Sequence, residues 1–287
     1  MKRMLIATFS FCFALSLIAL GSKLFARHNT VRAQVEPAQA EHNSRRARCS
    51  NRTASGTYGY RMTGQLIGNQ TVPFLVNGIF THYPNGTMDA EVLLTLGEQQ
   101  IPGTGTEGRF QTNEDCTGSG KFIVPVLNNL EITYNFIATD GGNQIELLNT
   151  NPGIVLHGVG RRISQPGFAP RCNSATVAHT YGYRLDGSLP GIPFFVISGT
   201  FTHWAEGRFN GTWKGTDTFN IMGQQYLPRE NSGTYTIKSN CRGTGFYKDN
   251  LGNSANYVFV AVDGGDTLYI QGADPGIKAA GVARRVR

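Results

Sequence analysis

The sequence predicts an all-β protein built as two tandem eight-stranded antiparallel β-barrels behind an N-terminal signal segment. Three observations predict it. Tyr58-Gly59-Tyr60-Arg61-Met62-Thr63-Gly64 returns as Tyr181-Gly182-Tyr183-Arg184-Leu185-Asp186-Gly187, so the chain is a duplication. Within each copy, short segments alternate apolar and polar positions with period two. Between them stand turn signals rich in Gly, Asn, Asp and Pro, with Gly alone numbering 36 among 287 residues.

The first repeat spans 49–163. Its opening strand is Gly56–Gln65, with Tyr58, Tyr60 and Met62 on one face and Gly59, Arg61 and Thr63 on the other. Val72–Tyr83 follows, and Pro84-Asn85-Gly86 turns it into Thr87–Leu96. Gly105–Thr112 is the fourth strand. Asp115-Cys116-Thr117-Gly118 turns the chain into Lys121–Val126, and Asn128-Asn129 into Glu131–Thr139. Asp140-Gly141-Gly142 suits a turn that needs positive φ before the strand Gln144–Leu148. Asn151-Pro152-Gly153 sets Pro before Gly, as a type II turn prefers, and leads into Ile154–Ile163.

Residues 164–171 hold Pro166, Gly167 and Pro170 and read as a linker. The second repeat occupies 172–287 and returns the same landmarks. Gly199-Thr200-Phe201-Thr202-His203 answers Gly78-Ile79-Phe80-Thr81-His82, Asp263-Gly264-Gly265 answers Asp140-Gly141-Gly142, and Asp274-Pro275-Gly276 answers Asn151-Pro152-Gly153.

Lys2-Arg3 followed by an apolar run from Met4 to Leu20 reads as a secretory signal, so residues 1–34 are expected to be a signal peptide or an uncleaved membrane anchor. Residues 35–48 are polar and read as a flexible leader. Both readings place the repeats in a secreted, periplasmic or cell-envelope location, with membrane contact only through the N-terminal segment. Of the net charge of +7, five charges (Lys2, Arg3, Lys23, Arg27 and Arg32) belong to the signal segment, which carries no acid. The repeats themselves are close to neutral, which argues against nucleic acid as a partner.

Four cysteines follow the signal at matching places in the repeats, Cys49 with Cys172 and Cys116 with Cys241. Duplication selects the pairing within a repeat, Cys49–Cys116 and Cys172–Cys241, and export favours disulfides over free thiols. Each loop encloses roughly 70 residues and is worth roughly 4 kcal/mol in the chain-entropy model. No C-x-x-C or His-rich spacing points to a metal, and no motif calls for a cofactor. Asn51, Asn69, Asn85 and Asn210 form N-x-Thr sequons, which matter only in a host that glycosylates its exports.

Eight short strands joined by tight turns must hide their edges, either in a closed up-and-down barrel or in a two-sheet sandwich. Short hairpins between neighbours favour the barrel, and Gly59, Gly78, Gly182 and Gly199 fit the bends a small barrel needs. The repeated Tyr-Gly-Tyr-Arg, Gly-x-Phe-Thr, Cys-x-Gly-x-Gly, Asp-Gly-Gly and Gly-Val-x-Arg-Arg elements, across 49–163 and 172–286, resemble the small secreted bacterial proteins of the allene oxide cyclase-like barrel group. That group is in turn similar to the calycins. The resemblance implies eight-stranded antiparallel barrels. It carries over no catalysis, because no cyclase active-site residue matches a position of this chain.

His82 and His203 are the foremost candidates for chemistry, each following Phe-Thr at an equivalent strand end near a barrel mouth. Locally bonded packing is the competing role. Tyr58, Tyr60, Tyr181 and Tyr183 face one way and either line a pocket or build the core. Arg61, Arg184, Arg161-Arg162 and Arg284-Arg285 read as surface or edge charges. No G-x-S-x-G, H-E-x-x-H or phosphate loop occurs. The expected function is therefore an exported, non-enzymatic tandem barrel that binds a small apolar ligand or an envelope component. The alternatives are an isomerase or cyclase acting on an oxidised lipid, and a purely structural secreted protein.

Overall fold

Period-two alternation puts every second side chain of a strand on one face, and a sheet that curls shut turns that face into an interior. In the first repeat β1 (Gly56–Ile67), β2 (Thr71–His82), β3 (Thr87–Leu96), β4 (Gln99–Thr112), β5 (Thr117–Val124), β6 (Leu130–Thr139), β7 (Gln144–Asn149) and β8 (Ile154–Ser164) form a closed antiparallel meander. Closure comes from β1, which pairs with β2 on one side (Tyr60 opposite Gly78) and β8 on the other (Tyr60 opposite Gly160). The second repeat contributes β9 (Thr180–Leu189), β10 (Ile192–Ala205), β11 (Asn210–Ile221), β12 (Gln224–Gln225), β13 (Arg229–Ile237), β14 (Arg242–Asp249), β15 (Ser254–Val262), β16 (Thr267–Gly272) and β17 (Lys278–Arg285). Eight of these close a second barrel through β10 and β11, while the two-residue β12 folds back on the end of β11. This is a computed structural model describing residues 48–287 apart from 69, 70 and 227. The expected signal segment 1–34, the leader up to residue 47 and the Asn69 sequon lie outside the described residues.

Two strands depart from the sequence reading: β5 begins at Thr117 rather than Lys121 and ends at Val124, before a 3-10 turn at Pro125–Leu127, and β4 starts well ahead of its expected place. β4 begins at Gln99 rather than Gly105, because a tight turn with Gly97 at φ 59° lets Leu96 pair directly with Gln99. Pro102 lies within it, opposite Leu93 on β3. Pairing with β5 starts only at Thr106, so the missing N–H of Pro102 faces no partner strand and costs no ladder bond.

Each barrel is capped at one end by the segment that precedes its first strand. Cys49–Cys116 and Cys172–Cys241 are disulfide-bonded, which ties each cap to the turn before β5 or β14. The first cap also holds through Thr112 N–H, which donates to Asn51 Oδ1 at 2.7 Å. In the second, Asn173 caps a short 3-10 turn at Ser174–Val177. The Asp-Gly-Gly turns meet the caps. Gly142 (φ 85°) and Gly265 (φ 95°) sit so close to the carbonyls of Thr53 and Thr176 that a Cβ would collide with them, and their own carbonyls accept the hydroxyls of Tyr58 and Tyr181 at 2.7 Å.

The outer faces of the barrels meet along β1, β2, β3 and β8 on one side and β15, β16 and β17 on the other. Val260, Val262 and Tyr269 pack with Ile79, Val159 and Ile163. Polar groups inside this face are paired across it: Asn77 Nδ2 donates to the Tyr269 carbonyl at 3.0 Å and Gln271 Nε2 to Thr95 Oγ1 at 2.7 Å. Two expected surface arginines belong here instead. Arg61 stands 5.9 Å over the Tyr269 ring, and Arg161 pairs with Asp263 at 3.3 Å. Arg162 turns inward to donate to Tyr58 Oη at 2.9 Å and to the Thr53 carbonyl.

Replacing both cysteines of either disulfide with Ala should lower the unfolding free energy by about 2–5 kcal/mol, read from urea denaturation with and without reductant. The doubly replaced variant should have lost its response to reductant at that bridge.

Candidate ligand cavity

The two repeats share a floor plan, so residue pairs can be matched rung by rung. At the capped end His82 stands opposite Met88, and His203 opposite Trp213. Moving from that rung toward the other end, Val92 of the first barrel corresponds to Asp217 of the second. Gly103, opposite Val92, corresponds to Arg229, opposite Asp217. From the Phe110–Gly120 and Tyr235–Gly245 pairs, Val124 corresponds to Asp249. Three inward positions that are Val, Gly and Val in one barrel are therefore Asp, Arg and Asp in the other.

The first barrel is filled. Tyr60, Met62, Phe74, Phe80, Phe122 and Tyr134 surround a residual space of only about 50 Å³. Its uncapped end is stopped by Leu127, which packs on the core from the β5–β6 turn. The second barrel holds a cavity of about 850 Å³, within the range of small-molecule sites. Two features keep it open. Its rings are bonded to the wall: Tyr183 Oη donates to Asp217 Oδ2 at 2.7 Å, and Trp213 Nε1 to the Phe246 carbonyl at 3.2 Å. Its β14–β15 turn folds outward around Asp249, whose Oδ1 accepts the N–H groups of Leu251 at 3.0 Å and Asn253 at 2.8 Å. Leu251 is left 70% exposed where Leu127 plugs the first barrel. Leu251 and the exposed Tyr226 both line the cavity, so it reaches the surface at this end.

The charged groups of the polar cluster in the wall are paired with one another, while Asn231 Oδ1 beside them has no partner among the described residues. Arg229 donates to Asp217 Oδ1 through Nε (2.9 Å) and Nη2 (2.7 Å), and to Asp249 Oδ2 through Nη1 (3.0 Å). Asn231 completes Asp217 at 2.8 Å, and Tyr247 and Asn253 complete Asp249 at 3.2 and 2.9 Å. The guanidinium lies 4.7 Å over the Phe219 ring. Burial alone would raise the Asp249 carboxyl, but the bonds from Asn253 and Leu251 and the Arg229 charge hold it below its ordinary value. Burial and the neighbouring Asp217 charge push the Tyr183 hydroxyl well up, so it stays a donor.

The two histidines differ more than their motif suggests. His82 is 1% exposed and sealed, not at a mouth. Its Nδ1 lies 3.1 Å from the Ala54 carbonyl and its Nε2 2.9 Å from Tyr134 Oη. A carbonyl can only accept, so Nδ1 carries the proton and Nε2 receives the tyrosine hydroxyl. His203 is 2% exposed and lines the large cavity, yet neither ring nitrogen has a partner among the described residues. The Val177 carbonyl, in the place of Ala54, faces the ring without reaching bonding geometry. Burial lowers both imidazoles to about 3, so both are neutral at ordinary pH.

Of the six residues the sequence singled out, His203 and Tyr183 line the large cavity and Tyr60 the residual one. Tyr58, Tyr181 and His82 are locked into the capped ends. Asp217, Arg229 and Asp249 were missed. Their signal was phase: Asp217 falls on the same face as Trp213 and Phe219, and a charge on an apolar face is the exception that marks a site. Among the described residues, no group of three or more His, Cys, Asp or Glu side chains is placed to hold a metal ion.

An imidazole with a lower pKa folded than unfolded leaves the unfolded chain binding more protons. Stability is then complete above about 6.5 and is lost as pH falls toward about 3. Urea denaturation from about pH 7 to 4 should show a slope that falls by up to about 1.4 kcal/mol per pH unit in His82→Phe or His203→Phe. At neutral pH the two variants should part: His82→Phe loses two bonds and about 1–3 kcal/mol, whereas His203→Phe loses none and is neutral or stabilising. Arg229→Met should cost about 3–5 kcal/mol in the same assay, because it strands two buried carboxylates.

No family model matches the sequence, and no curated protein matches it significantly. Among solved structures, the chain is similar to a protein of unknown function of the DUF3598 family from Nostoc punctiforme, at 8% identity, covering 82% of this chain and 97% of that one with a TM-score of 0.25. It is similar also to kievitone hydratase from Nectria haematococca, at 10% identity, covering 81% of this chain and 89% of that one with a TM-score of 0.25. Likeness of that degree says nothing about what either barrel does.

Proposed function

We propose that the protein is an exported binding protein whose second barrel takes up one small, mostly apolar molecule, while the first is its filled structural companion. The observation that carries this reading is the contrast inside one chain: two copies of one repeat enclose about 850 Å³ and about 50 Å³. The wall around the larger space is mostly apolar and aromatic, with its few polar groups in fixed positions, as ligand sites generally are. Binding is favoured over turnover because His203 has aromatic neighbours, Tyr181, Phe201, Tyr235 and Phe259, rather than a carboxylate that could drive proton transfer. The disulfides fit an oxidising compartment, and the apolar run at residues 4–20 supplies a route of export.

Titration with the neutral fluorescent probe N-phenyl-1-naphthylamine should show one site per chain. Ala279, buried in the cavity wall, offers a block: Ala279→Trp should weaken the probe by at least roughly tenfold. The matching change in the filled barrel, Leu156→Trp, should cost stability instead. Probe binding that ignores Ala279→Trp, or no binding at all, defeats the reading.

A further inference from the structure

We propose that the molecule held by the second barrel is neutral and carries a hydrogen-bond acceptor, a carbonyl oxygen of the ketone or ester type, which receives the hydroxyl of Tyr257. This rests on the ligand-binding reading above and adds the chemistry of the ligand to it.

The first barrel serves as the internal reference. Gly120 pairs with Tyr134 there, and Gly245 with Tyr257 in the second barrel, so the two tyrosines hold equivalent places. Each lies against its glycine, where a Cβ would collide with both the ring and the hydroxyl. Tyr134 Oη has two partners, His82 Nε2 at 2.9 Å and Met88 Sδ at 2.9 Å. Both are lost in the second barrel. Trp213 stands in the place of Met88 and has no acceptor to offer, and its own Nε1–H is donated to the Phe246 carbonyl. His203 stacks on Tyr235 at 4.3 Å and makes no bond. The hydroxyl that is satisfied twice over in the filled barrel has no partner here among the described residues.

This hydroxyl also stands where a ligand can reach it. Tyr257 is half-buried and lines the cavity, and its Oη is not sealed as both nitrogens of His203 are. The other polar aromatic side chains of the lining are engaged with the protein: Tyr183 with Asp217, Tyr247 with Asp249, and Tyr226 with Gln224, besides Trp213. Burial pushes the Tyr257 phenol well up, so it keeps its proton at ordinary pH. Trp213 and Phe259 flank its ring at 6.3 Å each and supply no acceptor. A donor left unpaired in such surroundings is unfavourable, and an acceptor-only group completes it. A ligand hydroxyl at the same place would leave one of the two protons without an acceptor. A carboxylate would accept, but one neutral donor does not offset the burial of its charge, and the guanidinium of Arg229 is already paired with Asp217 and Asp249.

Three compounds with one ring system test this by displacing N-phenyl-1-naphthylamine from the full-length chain at neutral pH. They are 2-acetylnaphthalene, 2-isopropenylnaphthalene, in which CH2 replaces the carbonyl oxygen, and 2-naphthoate. The quantity read is the ratio of the ketone's affinity to the alkene's. Tyr257→Phe should lower that ratio at least about fivefold, and 2-naphthoate should bind the unaltered protein at least about tenfold more weakly than the ketone. Tyr134→Phe, the matching change in the filled barrel, should leave the ratio where it was. Tyr257→Leu serves the same purpose if the Phe variant does not fold. A ratio that loss of the Tyr257 hydroxyl does not move, one that Tyr134→Phe lowers as much, or naphthoate binding as well as the ketone overturns this inference and leaves the cavity a general apolar site. Bound N-phenyl-1-naphthylamine that none of the three displaces overturns it too, whereas no binding of N-phenyl-1-naphthylamine defeats the binding reading itself.

Discussion

Closure of each sheet on itself is the constraint on which everything else rests. β1 bonds to both β2 and β8, and β10 to both β9 and β11, so neither barrel offers a bare edge and alternation along each strand becomes a strict division of inside from outside. Once that division exists, identity at a handful of inward positions decides whether a barrel is core or container. Met62, Phe74 and Leu156 converge on one axis with Leu127 as stopper. In the other barrel the same kind of wall is drawn outward by hydrogen bonds to Asp217, Asp249 and main-chain carbonyls.

Much of the fold was legible because its determinants are local. Turn chemistry at Asp140-Gly141-Gly142 and Asp263-Gly264-Gly265, tyrosines in phase on β1 and β9, and cysteines at matching places each specify their own neighbourhood. The start of β4 was not legible, because Pro102 and the glycines that follow it, Gly103 and Gly105, look like a loop until one knows that β5 is too short to pair there. The inter-barrel face was hidden for a related reason. Asn77, Thr95, Gln271 and Arg61 fall on the polar phase of their strands, and no strand pattern says that this outward face meets a second outward face.

The candidate site shows the same limit from the other side. The repeated Phe-Thr-His motif drew attention to His82 and His203 as equals, and in backbone they are equals. Their difference lies in what stands across the lumen, which depends on residues from strands far apart in sequence. The ion cluster was hidden because its members come from β11, β13 and β14, and because each alone resembles an ordinary surface charge. A buried ion pair with its remaining atoms satisfied adds little to stability over an apolar filling. Its effect here is spatial: it keeps three aromatic side chains against the wall.

The contact between the barrels also reaches the rim of the cavity. The carbonyl of Glu98 accepts Gly276 N–H at 3.0 Å, and Gln100 Nε2 donates to the Ile277 carbonyl at 3.1 Å; Ile277 itself lines the cavity. Elsewhere on the rim Leu251 of the β14–β15 turn stands 70% exposed. The rim is therefore lopsided, clamped by the first barrel's β3–β4 hairpin on one side and unclamped on the other. The filled barrel, which encloses almost nothing itself, thus braces one side of the mouth of the other.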